Sequence, residues 1–328
     1  MTAQDPVFSI IIPTRNRPQE FQKALNSVLA QTYQPIEIVV VNDGSTKQHK
    51  TAYKDIKDKS LNHVHFIDLI ERERGHGHCF ARNQGVDKAT GNYIGFLDDD
   101  DWYLDNTFLE RAAKEIKHHQ ADFYFANQKA VTHTGEHIPN VWVENLPNTF
   151  AAEDKRRDQT VFQVTIKELL RATSFPHMNC WLLSKQLYQQ IGGMDENLRY
   201  EPDRDIYLRT LNKAKYILYD QTTVALHNVP EKNKKNNAST QTNILEKLLF
   251  QLRTIDKGIL FLNHPELIQF CIKRKGYILK KITEQLIDNK KYNIAYNYAK
   301  QGLATSFSLK WLIFTAYVFL RKITPKYK

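Results

Sequence analysis

The sequence has few cysteines, no long hydrophobic run and no basic leader followed by an apolar stretch. Its three cysteines stand far apart, which excludes a disulfide framework and fits a reducing compartment. The first residues, MTAQDPVFS, lack the pattern of a secretory signal, so we expect a cytoplasmic protein. The apolar segment WLIFTAYVFL, at 311–320, has ten residues, whereas a membrane-spanning helix needs roughly 20. This segment therefore cannot cross a membrane by itself.

The composition is that of a globular protein with unevenly distributed charge. Hydrophobic residues make up 41% and charged residues 25% of the 328 positions, which allows a sizeable core and excludes wholesale disorder. The formal net charge is +10. Residues 231–328 contain 19 Lys and Arg against 6 Asp and Glu, whereas residues 1–230 contain 27 against 30. We therefore predict one domain over residues 1–230 and a basic C-terminal region over residues 231–328.

The first hundred residues alternate short apolar runs with amphipathic stretches, which is typical of a parallel sheet with crossover helices. Strands are predicted at VFSIIIP (7–13), IEIVVV (36–41) and YIGFL (93–97), with a weaker one at 64–67. Residues 178–183 and 224–227 are also predicted to be strands, on either side of a helix at 205–213. Beyond residue 242 the pattern is helical to the end. The fold class is therefore α/β with a Rossmann-like mixed sheet, followed by a helical region.

Polar residues follow three of the predicted strands at the points where those strands end. These turns are PTRNR at 13–17, NDGS at 42–45 and the acidic run DDDD at 98–101. Ligands bind at the carboxyl ends of the strands in parallel sheets, so a functional site is expected there. Four consecutive carboxylates repel one another unless a cation lies among them, and their hard oxygen atoms suit Mg²⁺ or Mn²⁺. The alternative is a solvated acidic turn that caps the following helix.

Four segments in this order, SIIIPTRNR, VVVNDGS, ARNQG and YIGFLDDDDW, resemble the motifs of the family 2 inverting glycosyltransferases, which have the GT-A fold. The resemblance covers about residues 7–227. It implies that Asp43 recognises the nucleobase, that Arg82 lies beside the base or the diphosphate, and that Asp98 faces the ribose or the sugar. It also implies that Asp100 is the principal metal ligand, with Asp98 beside it, and that Mn²⁺ or Mg²⁺ is the cofactor. The predicted donor-binding residues are Pro13, Thr14, Arg15, Arg17, Asp43, Gly44, Arg82, Asp98 and Asp99.

The family's last motif is a carboxylate pair that follows a GGxDExL segment, here at 192–198. The pair falls on Pro202 and Asp203, so proline replaces the usual glutamate. The resemblance implies that Asp203 is the general base that deprotonates the acceptor hydroxyl. Glu201, one residue earlier, is the alternative base. Without the motif, Asp203 and Asp205 would be interpreted as capping residues of the predicted helix.

His227 ends the last strand predicted in the first domain. In many related enzymes a histidine near this place reaches the metal or the diphosphate, so the resemblance implies a metal-binding role. Lys232, Lys234 and Lys235 follow it and would close over the donor. The alternative for His227 is a purely structural role.

The C-terminal region combines apolar helical spacing with a large excess of positive charge. Lysines flank the apolar segment at 311–320, which also contains tryptophan and tyrosine. This pattern predicts a helix that lies at the surface of an anionic membrane. The alternative is that the helix packs against its own domain or against a twin subunit.

Together these features predict a metal-dependent glycosyltransferase of the hexosyltransferase class. It would move a sugar from a nucleotide sugar, with UDP the favoured nucleotide, to a hydroxyl of a growing surface glycan such as capsule, O-antigen or lipopolysaccharide. The glycan would be free or lipid-linked, and the enzyme cytoplasmic or peripheral on the cytosolic face of the membrane.

Two other functions remain open. A noncatalytic glycan- or partner-binding module that retains the GT-A fold is supported by Pro202. A sugar nucleotidyltransferase has a similar sheet, but no glycine-rich signature follows the first strand. No nucleic-acid partner is expected, because no recognition motif accompanies the basic tail.

Overall fold

The computed structural model describes residues 5–60, 62–139, 141–172, 174–229 and 242–324. Within these ranges the chain forms two compact units. The first contains residues 5–197 and 213–229, and the second contains residues 198–212 and 242–324. Packing therefore groups residues 198–212 with the C-terminal helices. The domain boundary at residue 230 falls outside the described residues and stays a prediction, as does the role of Lys232, Lys234 and Lys235.

The first unit is built on one mixed sheet. Its strands are β1 (Phe8–Thr14), β2 (Ile36–Asn42), β3 (Val64–Asp68), β4 (Tyr93–Phe96), β5 (Trp102–Tyr103), β6 (Phe123–Val131), β7 (His137–Ile138), β8 (Val161–Gln163), β9 (Trp181–Ser184) and β10 (Ile217–Asn228). The strand order is β3-β2-β1-β4-β9-β6-β10-β5, with β7 paired to β6 and β8 paired to β10. β1 is parallel to β2 and β4, β9 is antiparallel to β4 and β6, and β10 is parallel to β6. The predicted mixed α/β sheet is confirmed.

Helices cover this sheet because its central strands are buried on both faces. They are α1 (Pro18–Leu29), α2 (Lys47–Asp58), α3 (His78–Lys88), α4 (Phe108–His119), α5 (Ile166–Leu169) and α6 (Lys185–Gln190). α1 begins at a proline, whose missing amide hydrogen is not needed there, and it buries Phe21, Leu25 and Val28. α3 approaches β1 closely at Gly85, where a Cβ would lie 2.5 Å from Cγ2 of Ile11. This contact packs α3 tightly against β1.

Two strand predictions were wrong in their limits. Met178–Cys180 forms a 3₁₀ turn, and β9 begins only at Trp181. The apolar pattern of this segment did not reveal that the amide side chain of Asn179 is buried. β10 begins at Ile217 rather than at residue 224, because register shifts between Asp220 and Ala225 interrupt the alternation expected of a regular strand.

The second unit is helical, as predicted for the C-terminal region. Its helices are α7 (Pro202–Lys213), α8 (Ile244–Phe261), α9 (Pro265–Asp288), α10 (Tyr292–Thr305) and α11 (Leu309–Ile323). α8 starts with a capping box in which the side chains of Asn243 and Glu246 accept from each other's backbone amides. From α8 onward each helix packs against the next. Among the described residues, no helix has both the length and the apolar character needed to cross a membrane.

Candidate active site

The sheet brings the polar turns after β1, β2 and β4 to one edge. Pro13 and Thr14 end β1 opposite Val41 and Asn42 of β2, while β4 pairs with β1 on its other side. The backbone amide of Asp43 donates to the carbonyl of Thr14 over 2.9 Å. The side chains that follow these strands can therefore contact one another.

Asp99 joins the acidic run to the turn after β1. Its Oδ2 accepts from the hydroxyl of Thr14 at 2.8 Å and from the backbone amide of Arg15 at 3.3 Å. Its Oδ1 accepts from the guanidinium of Arg17 at 3.2 Å. The carboxylate is almost fully buried. Asp99 therefore holds the two turns in place relative to each other.

Asp100 shares the same arginine. Its Oδ2 accepts from Arg17 at 2.6 Å, and no donor among the described residues contacts its Oδ1. Burial and the charge of Asp101 raise the pKa of Asp100 to about 6, even though Arg17 lowers it. Burial and the charge of Asp100 likewise raise the pKa of Asp99 to about 7. The crowded carboxylates thus resist full ionisation, and a divalent cation with oxygen ligands, Mg²⁺ or Mn²⁺, fits this excess of negative charge.

Asp98, in contrast, is held in its ionised form. The guanidinium of Arg82, in α3, donates to Asp98 Oδ1, and Arg82 is only 5% exposed. Burial raises the pKa of Asp98, but Arg82, His177 and His227 outweigh this effect and lower it to about 2. Arg82 therefore brings positive charge to the acidic run. Its contact with the base or the diphosphate stays a prediction.

Asn179 connects the two ends of the acidic run. Its Oδ1 accepts from the backbone amide of Asp98 at 3.0 Å, and its Nδ2 donates to Asp101 Oδ2 at 2.5 Å. Asp101 also accepts from Nδ1 of His227 at 2.7 Å and from the backbone amide of Asn228 at 2.8 Å. Asn179 and Asp101 are both fully buried. Asp101 thus accepts three hydrogen bonds from the protein and orients the neighbours that donate them.

Asp101 orients His227. Because Nδ1 of His227 donates to the carboxylate, Nε2 is the ring nitrogen left for a ligand, as in sites where a carboxylate orients a metal-binding histidine. Burial lowers the pKa of His227, but the hydrogen bond with Asp101 and the charges of the acidic run raise it overall. His177 lies beside His227 with ring centroids 4.8 Å apart, and Trp142 packs against both rings at 5.2 and 5.4 Å. One ligand atom each of Asp101, His177 and His227 lies within 4.8 Å of the others.

Sequence reasoning missed Asn179, His177 and Trp142. They lie far along the chain from the acidic run, and no local pattern connects them with it. The signal that could have identified Asn179 is one amide residue between the apolar Met178 and Cys180, because a buried amide must find hydrogen-bond partners.

The loop before α3 surrounds Asp43. Oδ1 of Asp43 accepts from the backbone amide of His76 at 2.7 Å and from its Nδ1 at 3.0 Å, and Oδ2 accepts from the amide of Gly77 at 3.0 Å. Gly75 has a φ of 67°, and a Cβ there would lie 2.5 Å from Asp43 Oδ2. Only glycine allows this approach. A carboxylate has about four acceptor sites, so Asp43 retains one for a ligand.

Arg15 also binds this loop. Its guanidinium donates to the carbonyls of Arg72 at 3.0 Å and Glu73 at 2.8 Å. Gly44 also has a φ of 67°, and a Cβ there would lie 2.5 Å from the carbonyl oxygen of Ile70. The structure therefore brings the predicted donor-binding residues to one edge of the sheet, where several of them bind one another. Their roles toward a donor stay predictions.

The two candidate bases lie in the second unit and differ in their surroundings. Glu201 accepts from Nε of Arg204 at 2.8 Å and from Nε2 of Gln251 at 2.7 Å, so both of its oxygens are occupied. Asp203 is half-buried, and its carboxylate has no hydrogen bond or ion pair with any described residue. Asp203 is therefore the carboxylate that can accept a proton without first losing a partner.

α7 begins at Pro202, three residues earlier than predicted, because proline is favoured at the first helical position. Asp203 and Asp205 consequently lie within the first turn. Asp205 is buried and paired with Arg209 at 2.5 Å and with Lys257 at 2.8 Å. Asp205 thus has a structural role.

Comparisons with known proteins agree with this architecture. The family model described as "Glycosyl transferase family 2" matches residues 9–192. An uncharacterized glycosyltransferase of Rickettsia typhi is 27% identical over 339 residues, which cover 97% of this chain and 97% of that protein.

Two solved structures share the fold. S. aureus TarS 1–349 in complex with UDP-GlcNAc has a TM-score of 0.63 at 17% identity. The match covers 96% of this chain and 88% of the TarS chain. The mannosyltransferase PcManGT from Pyrobaculum calidifontis, in complex with GDP-Man and Mn²⁺, has a TM-score of 0.59 at 15% identity, with coverages of 98% and 87%. The predicted GT-A fold is confirmed.

Proposed function

The chain belongs to glycosyl transferase family 2 and is a glycosyltransferase, and from this premise we propose that it is a metal-dependent, inverting enzyme with a UDP-sugar donor. The observation that carries the proposal is the arrangement at the sheet edge. There, four adjacent carboxylates meet two arginines and the oriented His227. Such a site suits a ligand that brings both negative charge and a divalent cation.

Asp100, Asp98 and Nε2 of His227 are the groups that would hold Mn²⁺ or Mg²⁺. Asp100 has an oxygen without a protein donor among the described residues, and Asp101 keeps His227 in the required orientation. When bound, the cation would neutralise charge on the leaving nucleoside diphosphate. PcManGT, whose structure contains Mn²⁺, shares the fold.

Arg17 and Arg82 would contribute positive charge beside the same leaving group. Each is now paired with carboxylates of the acidic run, which keeps its guanidinium at the site in advance of the ligand. Charges that are already in place require no reorganisation as the reaction proceeds, which is the main source of electrostatic catalysis.

Asp203 would act as the general base. An inverting displacement requires one base to take the proton from the acceptor hydroxyl as that oxygen attacks the sugar carbon. Asp203 has no partner among the described residues, whereas both oxygens of Glu201 accept hydrogen bonds. Of the two candidates, the structure thus favours Asp203.

UDP is the proposed nucleotide because the remaining acceptor site of Asp43 can receive the imide N–H of uracil. TarS, which shares the fold, is known in complex with UDP-GlcNAc. A guanine base also carries N–H donors, and PcManGT is known in complex with GDP-Man. The base is therefore part of the proposal to be tested.

The proposed acceptor is a hydroxyl of a growing surface glycan, free or lipid-linked, and the proposed location is the cytosolic face of a membrane. The support for this location is the basic C-terminal region, with 14 basic against 5 acidic residues at 242–324.

Donor hydrolysis with a panel of nucleotide sugars tests the activity, and calorimetry with UDP and GDP tests the base. We expect UDP to bind in Mn²⁺ and to lose its affinity when a chelator is added. Equal affinity for UDP with and without chelator would overturn the metal dependence. Tighter binding of GDP would overturn the choice of nucleotide.

A further inference from the structure

We propose that the outer face of α11 is a docking surface for an anionic lipid bilayer. The outer face consists of the exposed residues Leu309, Leu312, Ile313, Ala316, Tyr317, Phe319, Leu320 and Ile323. At 100° per residue these positions share one side of the helix. A helix of a globular protein normally shows polar residues on this side.

The opposite side of α11 fixes the orientation of the helix. Trp311 and Val318 are buried, and Nε1 of Trp311 donates to the carbonyl of Ala299 in α10 over 3.1 Å. Trp311 also lies against Gly302, where a Cβ would come within 2.8 Å of the indole. α11 therefore cannot turn its outer face toward α10 without breaking this packing.

Exposed apolar residues are concentrated in this one segment. Of the sixteen large hydrophobic side chains that are exposed among the described residues, eight lie between Phe307 and Ile323. Leu309 is 67%, Ile313 63% and Leu320 55% exposed. Single exposed apolar residues are ordinary, but a continuous row of them marks an interaction surface.

Charge decides between the possible occupants. Residues 292–324, which form α10 and α11, contain Lys300, Lys310, Arg321 and Lys322 but no Asp or Glu. Docking of a second copy on this face would bring lysines and arginines against one another, whereas an anionic bilayer complements them. A helix of 15 residues is about 22 Å long, shorter than the roughly 30 Å of a bilayer core, so α11 would lie in the interface.

This inference rests on the proposed location of the enzyme and adds the surface that would hold it there. Vesicles of phosphatidylglycerol mixed with phosphatidylcholine, and vesicles of phosphatidylcholine alone, are the probes. Substitution suits the test better than deletion of α11, because deletion would uncover the surface of α10 that Trp311 occupies.

The apolar test is the double variant Ile313→Asn with Leu320→Asn. Both positions are exposed, so the fold should be unaffected. Its matched control is Ile244→Asn with Leu260→Asn, which removes two apolar residues of α8 that are at least about as exposed. Cosedimentation of the full chain with the anionic vesicles should fall at least about tenfold in the first variant and stay within about twofold in the control.

The charge test is Lys310→Glu with Lys322→Glu, and its control is Lys54→Glu with Lys59→Glu, in and just after α2. Both change the net charge equally. Binding to anionic vesicles should fall at least about tenfold only in the α11 variant. Vesicles without phosphatidylglycerol should bind the wild-type chain more weakly and show no difference between the two variants.

Equal sedimentation of the wild type and both α11 variants would overturn the proposal. So would a wild-type dimer in velocity sedimentation that becomes monomeric in the Ile313 and Leu320 variant while vesicle binding is unchanged, since the occupant would then be a second copy. Calorimetry with UDP, run on every variant, reports on folding and keeps the two proposals separate. A wild-type chain that binds vesicles but no nucleotide would contradict only the proposed function.

Discussion

The two compact units differ in how fully the side chains at their candidate functional surfaces are paired with, or covered by, the rest of the chain. In the first unit the side chains at the sheet edge are joined by hydrogen bonds. Thr14, Asp99 and Asn179 each bind a neighbour across the site. In the second unit Asp203 has no partner among the described residues, and α11 leaves a row of apolar side chains exposed. This difference matches the two proposals, in which the sheet edge of the first unit binds the donor and the second unit supplies the base and the membrane-docking face.

Removal of the basicity of Asp203 should have the largest effect on activity. Asp203→Asn keeps the size of the side chain, so donor affinity should stay within a few-fold while turnover, measured as UDP release, falls by about 10²- to 10⁴-fold. Glu201→Gln is the control and should have a much smaller effect, because Glu201 is already held by Arg204 and Gln251. If the two variants exchange these outcomes, the base is Glu201.

Asp100→Asn tests the binding role of the first unit. The Oδ1 atom of Asp100 has no protein donor among the described residues and would be available to a metal. The substitution removes the charge of this carboxylate, so UDP affinity in Mn²⁺ should fall by about 10²-fold. Addition of a chelator should then have no further effect in calorimetry. Asp68→Asn, at the end of the edge strand β3, is the control and should leave the affinity unchanged. An equal loss in both variants would argue against a metal role for Asp100.

Asn179→Ala tests whether a positioning residue matters at the same site. Loss of the amide removes one of the three hydrogen bonds of Asp101 and the side-chain acceptor of the Asp98 backbone amide, which should cost about 1–3 kcal/mol of unfolding free energy. Mn²⁺-dependent UDP affinity should also fall, by roughly tenfold.

Asn127→Ala is the matched control for Asn179. Asn127 is buried and its side chain donates to the carbonyl of Gln221, with no hydrogen bond to the acidic run among the described residues. Chemical denaturation should show a loss of stability in both variants, and calorimetry a loss of UDP affinity only in Asn179→Ala. If UDP affinity falls equally in both, the effect of Asn179 is general destabilisation.

The smallest expected effect concerns the loop around Asp43. Gly75→Ala and Gly135→Ala both place a side chain at a positive φ and should each destabilise the protein by about 1–2 kcal/mol in chemical denaturation. A Cβ at Gly135 meets nothing within 4 Å, whereas at Gly75 it meets Asp43. UDP affinity should therefore fall a few-fold in Gly75→Ala only. Unchanged affinity would mean that this loop does not touch the nucleotide.

The sequence predicted the elements whose signals are local. The buried runs of β1, β2 and β4 and the polar turns after them follow from alternation and turn chemistry, and their meeting at one edge follows from parallel pairing. The helical character of the C-terminal region followed from its apolar spacing in the same way.

What the sequence did not predict depends on contacts between distant residues. Asn179 lies 78 positions from Asp101, and no periodic pattern connects the two. One carboxylate oxygen of Glu201 accepts a hydrogen bond from Gln251, which lies in a helix that starts 43 positions later. Pairing of this kind is decided when elements pack, so the sequence alone left the choice between Glu201 and Asp203 open.

The pairing of Arg17 with Asp99 and Asp100 has a consequence for how a metal would enter. The guanidinium of Arg17 already pairs with two carboxylates of the acidic run, so part of their negative charge is neutralised before any divalent ion binds. A divalent ion at this place would compete with Arg17 for Asp100, and Arg17 would then need another anion. A nucleoside diphosphate that arrives together with the ion supplies that anion. We therefore expect the metal and the nucleotide to bind together more readily than the metal alone.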